Sequence, residues 1–431
     1  MNSNHCLRAG AGTAVVEIGE DILPVEGFTS VRDPLHARVL ILESNIRTVI
    51  ASVEITSLFD FVLEAMLEKL CTLTGAAREN IWLTTTHSFG GPHLWRAPEP
   101  GRTKQPGRKA LPEDELLRCA RLEKAYLNAL EQAAAAAVSH LRDAVIGAGR
   151  GLCTVNASRN METRDGWWLG TDSEEPCDHS LTVLRVDGTD GEPIAMLYTY
   201  GVRSCVMKTS KGADGGSIIT SDLCGVASMA LEKEFGDGFT ALFLCGAAAD
   251  QEPQFKSLQT EVDKNGDPCS IDQGPIGGAL LDAQAVRLAA EVLKTWRRTT
   301  CLRDVEKIRS GNREYICPTK KMDQTSSFVK PTREAVFEPA GEKTLTVYAL
   351  RLGVMNLIGV QPEIDGVTSM QLAQAVDGEI TAAVIQVNGG DKCMPERTAY
   401  EQVKYQSLNS PFQAGCAEIM RDTAVDLLRN L

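Results

Sequence analysis

The sequence predicts an α/β fold, one large domain of mixed β-sheets flanked by helices. Short apolar runs of strand length alternate along the chain with longer stretches whose apolar residues recur at helical spacing. The two patterns are interleaved rather than segregated, as α/β layering requires. No Gly-, Ser- or Pro-rich linker divides the 431 residues, and no repeat of about 20–50 residues is visible. The whole chain, 1–431, therefore reads as one unit.

Residues 37–42 and 48–54 are apolar runs expected to be strands. Residues 61–74 have helical spacing, and residues 81–86 read as the strand that leads to His87. A long amphipathic helix is expected from Asp114 to about Asp143, with the alanine-rich run 133–138 in its stripe. Between them, residues 94–113 are rich in Pro, Gly and positive charge. They read either as a solvated loop or as a lid over His87, because long loops in compact domains are disproportionately functional. Strands follow at 180–187 and 194–199, then a helix at Asp222–Phe235, a strand at Thr240–Cys245 and a long helix at 277–297. Residues 312–341 are polar and read as irregular. Strands at 344–352, 356–360 and 381–388 and a helix near 416–431 close the chain.

Hydrophobic residues are 43% of the sequence and charged residues 23%, which leaves ample material for a core. The formal net charge of -13 argues against nucleic acid or an anionic membrane as partner. No apolar run reaches the roughly 18 residues of a membrane span, and no signal peptide is evident at the N-terminus. The 13 cysteines are odd in number, without CxxC pairs, and most lie in apolar runs, as do Cys71, Cys205, Cys224 and Cys245. That pattern suits reduced, buried thiols and predicts a cytoplasmic protein with a small-molecule substrate.

The segment Thr84-Thr85-Thr86-His87-Ser88-Phe89-Gly90-Gly91-Pro92 draws attention because an apolar strand ends there and Gly-Gly-Pro forces a turn. His87 is thereby delivered to the rim of a sheet, where α/β enzymes assemble their sites. The alternative is a histidine buried against a loop and satisfied by backbone.

Several separated segments, in order, resemble the neutral (alkaline, non-lysosomal) ceramidase family, specifically its N-terminal catalytic domain. They are Ala9-Gly10-Ala11-Gly12, Asp33-Pro34-Leu35-His36, the His87 segment, Ser221-Asp222-Leu223-Cys224-Gly225, Cys245-Gly246-Ala247-Ala248-Ala249-Asp250-Gln251-Glu252-Pro253, Gln361-Pro362-Glu363 and Asn388-Gly389-Gly390-Asp391-Lys392-Cys393. The resemblance implies that fold without the C-terminal β-sandwich domain of the secreted members. It also implies an amidase built on one zinc held by two His, a Glu and a Tyr, in which the metal polarises the amide or acidifies a water.

Position by position, His87 falls on the first zinc His and Glu363 on the Glu, leaving His87 and Glu363 as the metal ligands if zinc is bound. The second His falls on Arg203, the Tyr on Cys393, the motif's other His on Phe89, and the ceramidase Ser on Glu252. Arginine donates no lone pair, and about 4 Å from a divalent cation it would be repelled by roughly 8 kcal/mol at an effective dielectric near 20. The sequence therefore offers an Arg203–Glu363 ion pair in the metal's place, or an Arg203 that clamps a substrate anion. Cys393 reads as a zinc-binding thiolate, as an activated nucleophile, or as one more buried thiol. His93 offers a replacement nitrogen, and with Phe89 and Arg203 it forms the expected substrate-binding set. Asp250 reads as a residue of the catalytic group or as the cap of its own turn, and Asp222 as a helix N-cap.

Three functions follow: an amide hydrolase or acyl-transfer enzyme whose metal site is rebuilt around His87 and Glu363; a metal-free enzyme with Arg203 as anion clamp and His87 or Cys393 chemistry; and a non-catalytic binding protein. Ceramide fits poorly as substrate, because Glu252 replaces the serine and no interfacial apolar helix is apparent. A small polar or anionic amide fits better.

Overall fold

The computed structural model describes residues 7–96, 111–302, 307–321, 330–353, 355–376 and 380–431. Two β-sheets pack face to face, and helices cover both outer faces. The larger sheet has eight strands in the order Thr240–Cys245, Pro193–Tyr200, Ser180–Gly188, Arg142–Leu152, Arg8–Val16, Leu35–Glu43, Arg47–Val53 and Ile81–Thr85. Its two outermost pairs are parallel and every pair between them is antiparallel. The smaller sheet runs Ile308–Lys320, Pro339–Leu352, Met355–Val360 and Ile380–Val384, with only the last pair parallel.

A parallel pair needs a crossover, and each of the three has a helix between its strands: Asp60–Thr74, Asp222–Phe235 and Gly366–Gln374. Alternate residues of the strands point opposite ways, so one set fills the space between the sheets. There Leu40, Ile50, Trp82, Leu197 and Leu244 meet Leu350, Leu357 and Val384. The other set faces helices. Asp60–Thr74 and Glu113–Ser139 cover one half of the larger sheet, Asp222–Phe235 and Gly277–Arg298 cover the other, and Cys416–Arg429 lies on the smaller sheet.

This arrangement brings the carboxyl ends of the parallel strands together at one edge. Hydrogen bonds stitch the two sheets there: Ile385 N donates to Cys245 O (2.9 Å) and Asn388 N to Leu83 O (2.9 Å). The Asn388 side chain accepts from Leu83 N (2.8 Å) and donates to Ile81 O (2.7 Å), which continues the ladder along the free edge of the Ile81–Thr85 strand.

Several expectations need correction. The helix expected to run to about residue 143 ends at Ser139, and Arg142–Leu152 is a strand. Its Gly147, Gly149 and Gly151 form the face against which Thr295, Thr299 and Thr300 press. Residues 312–341 are not irregular throughout, because Ile308–Lys320 pairs along its length with Pro339–Leu352; its outer face is solvated, hence polar. The strand expected at 381–388 stops at Val384, where the stitching turn begins. Asp222 does not cap its helix in the ordinary way. With φ at 53° and its side chain fully buried, it accepts from Val206 N and Met207 N (2.8 Å each) and from Leu223 N (2.7 Å). It thereby ties the helix to the loop that carries Arg203. The proposed lid falls mostly on residues 97–110, outside the described residues; Arg96, before them, pairs with Glu123.

The Ala9–Gly12 motif has a packing cause. A Cβ on Gly12 would lie 2.3 Å from Ala133 O and 2.7 Å from Ala136 Cβ, so the strand and the alanine face of Glu113–Ser139 need small residues on both sides. Gly12→Val is expected to cost about 1–3 kcal/mol in urea denaturation through overpacking. Gly390→Ala, which meets nothing within 4 Å, is expected to leave stability unchanged.

Candidate active site

His87, Arg203, Glu363 and Cys393 converge at the stitched edge, each on a loop that follows a strand. The His87 and Arg203 loops zip together: Phe89 N donates to Ser204 O (2.8 Å) and Ser204 N to His87 O (3.3 Å). The other two meet through a short parallel ladder, Glu363–Ile364 with Cys393–Met394. His87 and Gln386 are held at φ 52° and 55°, a conformation that persists in side-chain-bearing residues only where the surroundings impose it.

His87 is buried. Its Nδ1 lies 2.9 Å from Thr56 O, and Gln386 closes the same edge at 3.1 Å. The Thr56 carbonyl only accepts, so it takes a hydrogen bond from Nδ1. Nε2 is buried, has no aligned hydrogen bond, and faces Glu363 Oε2 at 3.3 Å. The same Oε2 takes a hydrogen-bonded ion pair from Arg203 Nη2, while Arg203 Nε donates to Ala248 O (3.0 Å). Burial alone would raise the Glu363 pKa. The Arg203 charge outweighs it and holds the carboxyl well below its usual range. Glu363 is thus ionised, and of the two sequence alternatives Arg203 takes the ion pair.

Phe89 packs edge-on to His87 at 4.9 Å, with Arg203 at 5.6 Å and the Lys208 ammonium at 4.7 Å from its ring. Cys393 is buried with Sγ 4.0 Å from Arg203 Nη2. Burial, then the Glu363 charge, push its thiol up to about 11, so it is protonated at neutral pH and does not match an activated nucleophile. Asp250 lies behind the site, its Oδ1 accepting from Gly366 N (2.9 Å). His93 is not brought in: its backbone N and Nδ1 both go to Glu26 (2.7 and 3.0 Å), and its ring lies against Trp95. Glu252 pairs with Lys256 and accepts from Thr171 (3.1 Å).

Sequence reasoning missed Arg159. It sits at a bulge in the Asn156–Thr163 strand, pinned by its N–H to Asp250 O (2.8 Å), and bulges re-aim side chains beside active sites. It is more than nine-tenths buried, its Nε has no partner, and among the described residues it makes no ion pair. Its guanidinium lies 5.3 Å from the Tyr405 ring. Burial, then the neighbouring Arg203 charge, draw its pKa down. An unpaired buried cation is costly unless something else supplies the anion.

The donor set does not fit zinc. Three or four lone-pair donors are needed, and His87 and Glu363 supply two. Arg203 supplies only N–H donors, and among the described residues no three His, Cys, Asp or Glu converge on one point.

Burial and Asp365 raise Asp250 to about 7. Between the unfolded value of 3.8 and this value the folded chain holds more protons than the unfolded one, so this group lowers stability as pH rises through that window. Asp250→Asn is expected to unfold at higher temperature than the unsubstituted protein at pH 8. The gap should close toward pH 4, and a difference independent of pH would contradict this.

Two solved structures share the fold. A neutral ceramidase from Pseudomonas aeruginosa matches with a TM-score of 0.69 and 16% identity over 100% of this chain and 75% of that one. A ceramidase complexed with C2 matches with the same score and identity over 99% and 76%. No protein-family model and no curated protein matches the chain. The α/β architecture with several mixed sheets is therefore that of the solved ceramidases.

Proposed function

We propose that the chain is a hydrolase that cleaves an amide (C–N) bond of a small polar or anionic molecule without a metal. The observation that carries this reading is the buried His87 Nε2, without an aligned hydrogen bond and 3.3 Å from the ionised Glu363. The resemblance in sequence and the names of the two solved neighbours support the bond type.

In this reading a water oxygen attacks the amide carbon while His87 Nε2 takes the water's proton. The imidazolium so formed lies against the Glu363 carboxylate, which lowers the cost of making it. The C–N bond then breaks, the proton passes from Nε2 to the leaving nitrogen, and a carboxylic acid and an amine are released. Arg203 is a positioning residue that keeps Glu363 ionised. Arg159 provides the charge-assisted donors that a substrate oxygen needs, in a setting of low dielectric where they act strongly. Cys393 takes no part beyond packing.

The test is amine release from a panel of small N-acylated amino acids. His87→Gln is expected to lower kcat by about 10²–10⁴-fold with the melting temperature unchanged. Full turnover in that variant would overturn the role of His87, and no release from any panel member would favour a binding protein that keeps the fold.

A further inference from the structure

The inter-sheet layer changes character near the stitched edge. One rung of the larger sheet places Ala148, Leu184 and Leu197 side by side. The next rung on the same face is Arg150, Thr182 and Thr199. Here the sheets enclose a cavity of about 300 Å³, walled on its far side by the helix Gly366–Gln374 and the start of Ile380–Val384. That volume is at the lower end of small-molecule sites.

The wall is built for a polar ligand. Thr182 and Thr199 are more than nine-tenths buried, yet neither hydroxyl, nor that of Ser369 from the helix, is spent on a hydrogen bond among the described residues. Asp178 is likewise more than nine-tenths buried. One of its carboxylate oxygens accepts from Ser180 N (2.9 Å), and no cation pairs with it among the described residues. Arg150 lines the same space. Arg150 already makes an interaction of its own, and a guanidinium carries five N–H donors.

We propose that this cavity is a binding site for a small zwitterion of the amino-acid class, its ammonium held by Asp178 and its carboxylate by Arg150. The hydroxyls of Thr182, Thr199 and Ser369 complete the hydrogen bonds. The site is separate from His87 and does not rest on the hydrolytic reading. It adjoins the Arg203 loop, because Asn156 Nδ2 bridges Asp178 O (2.9 Å) and Gly201 O (2.8 Å), two residues before Arg203.

Calorimetric titration with L-alanine tests it, with L-alaninamide, propionate and glycerol as controls, on the intact protein and on His87→Gln. Saturable L-alanine binding is expected in both, at least about tenfold tighter than any control, a difference of 1.4 kcal/mol. Asp178→Asn should weaken it at least tenfold. Ala373→Leu, on the half-buried inner side of the helix, should fill the cavity and abolish binding without disturbing the fold. The proposal is overturned by the absence of saturable binding at millimolar L-alanine, by glycerol binding equally well, or by unchanged binding in Ala373→Leu.

Discussion

Glu363 Oε2 faces a histidine nitrogen on one side and an arginine on the other, in a place almost closed to water. A carboxylate there must be neutralised or protonated, because an unpaired buried charge costs several kcal/mol. Arg203 supplies the neutralising charge, and much of the surrounding structure holds it in position. Ala248 O receives its Nε, Ser204 zips its loop to His87, and the buried Asp222 carboxylate accepts from the backbone N–H groups of Val206 and Met207. The guanidinium thus supplies the positive charge that the buried Glu363 carboxylate needs. It does so without an open coordination position.

The proposed chemistry at this edge is consequently of a different kind. A metal site activates water by coordination, whereas here the groups that could act are a histidine anchored through Nδ1 and cations with donors to spare. Arg159 is the clearest of these. It is buried, lies close enough to Arg203 to feel its charge, and makes no ion pair among the described residues. Such an arrangement lowers stability for the fold alone, which is the usual signature of a group kept for a ligand.

Part of this was legible in the sequence. Asp222–Phe235 and Thr240–Cys245 were evident because their periodicities are clean and their ends are marked. The Arg203–Glu363 pair was one of two readings that the resemblance offered for Arg203, the other being a clamp on a substrate anion. The strand Arg142–Leu152 was hidden by glycines that serve packing rather than a turn. Arg159 was hidden because its meaning depends on a bulge and on neighbours 44 to 246 residues away, and the only local signal is one arginine in a run of short polar residues that reads like a turn. His93, by contrast, was suggestive in sequence and proves to be committed to Glu26.

The most direct measurement is zinc stoichiometry after equilibration of the purified protein with zinc and removal of the excess, in parallel with Arg203→His. If the guanidinium stands in for a metal, the unsubstituted chain retains no stoichiometric zinc, and Arg203→His, which completes a third lone-pair donor beside His87 and Glu363, gains it. One zinc per unsubstituted chain, lost in His87→Gln, would contradict the account.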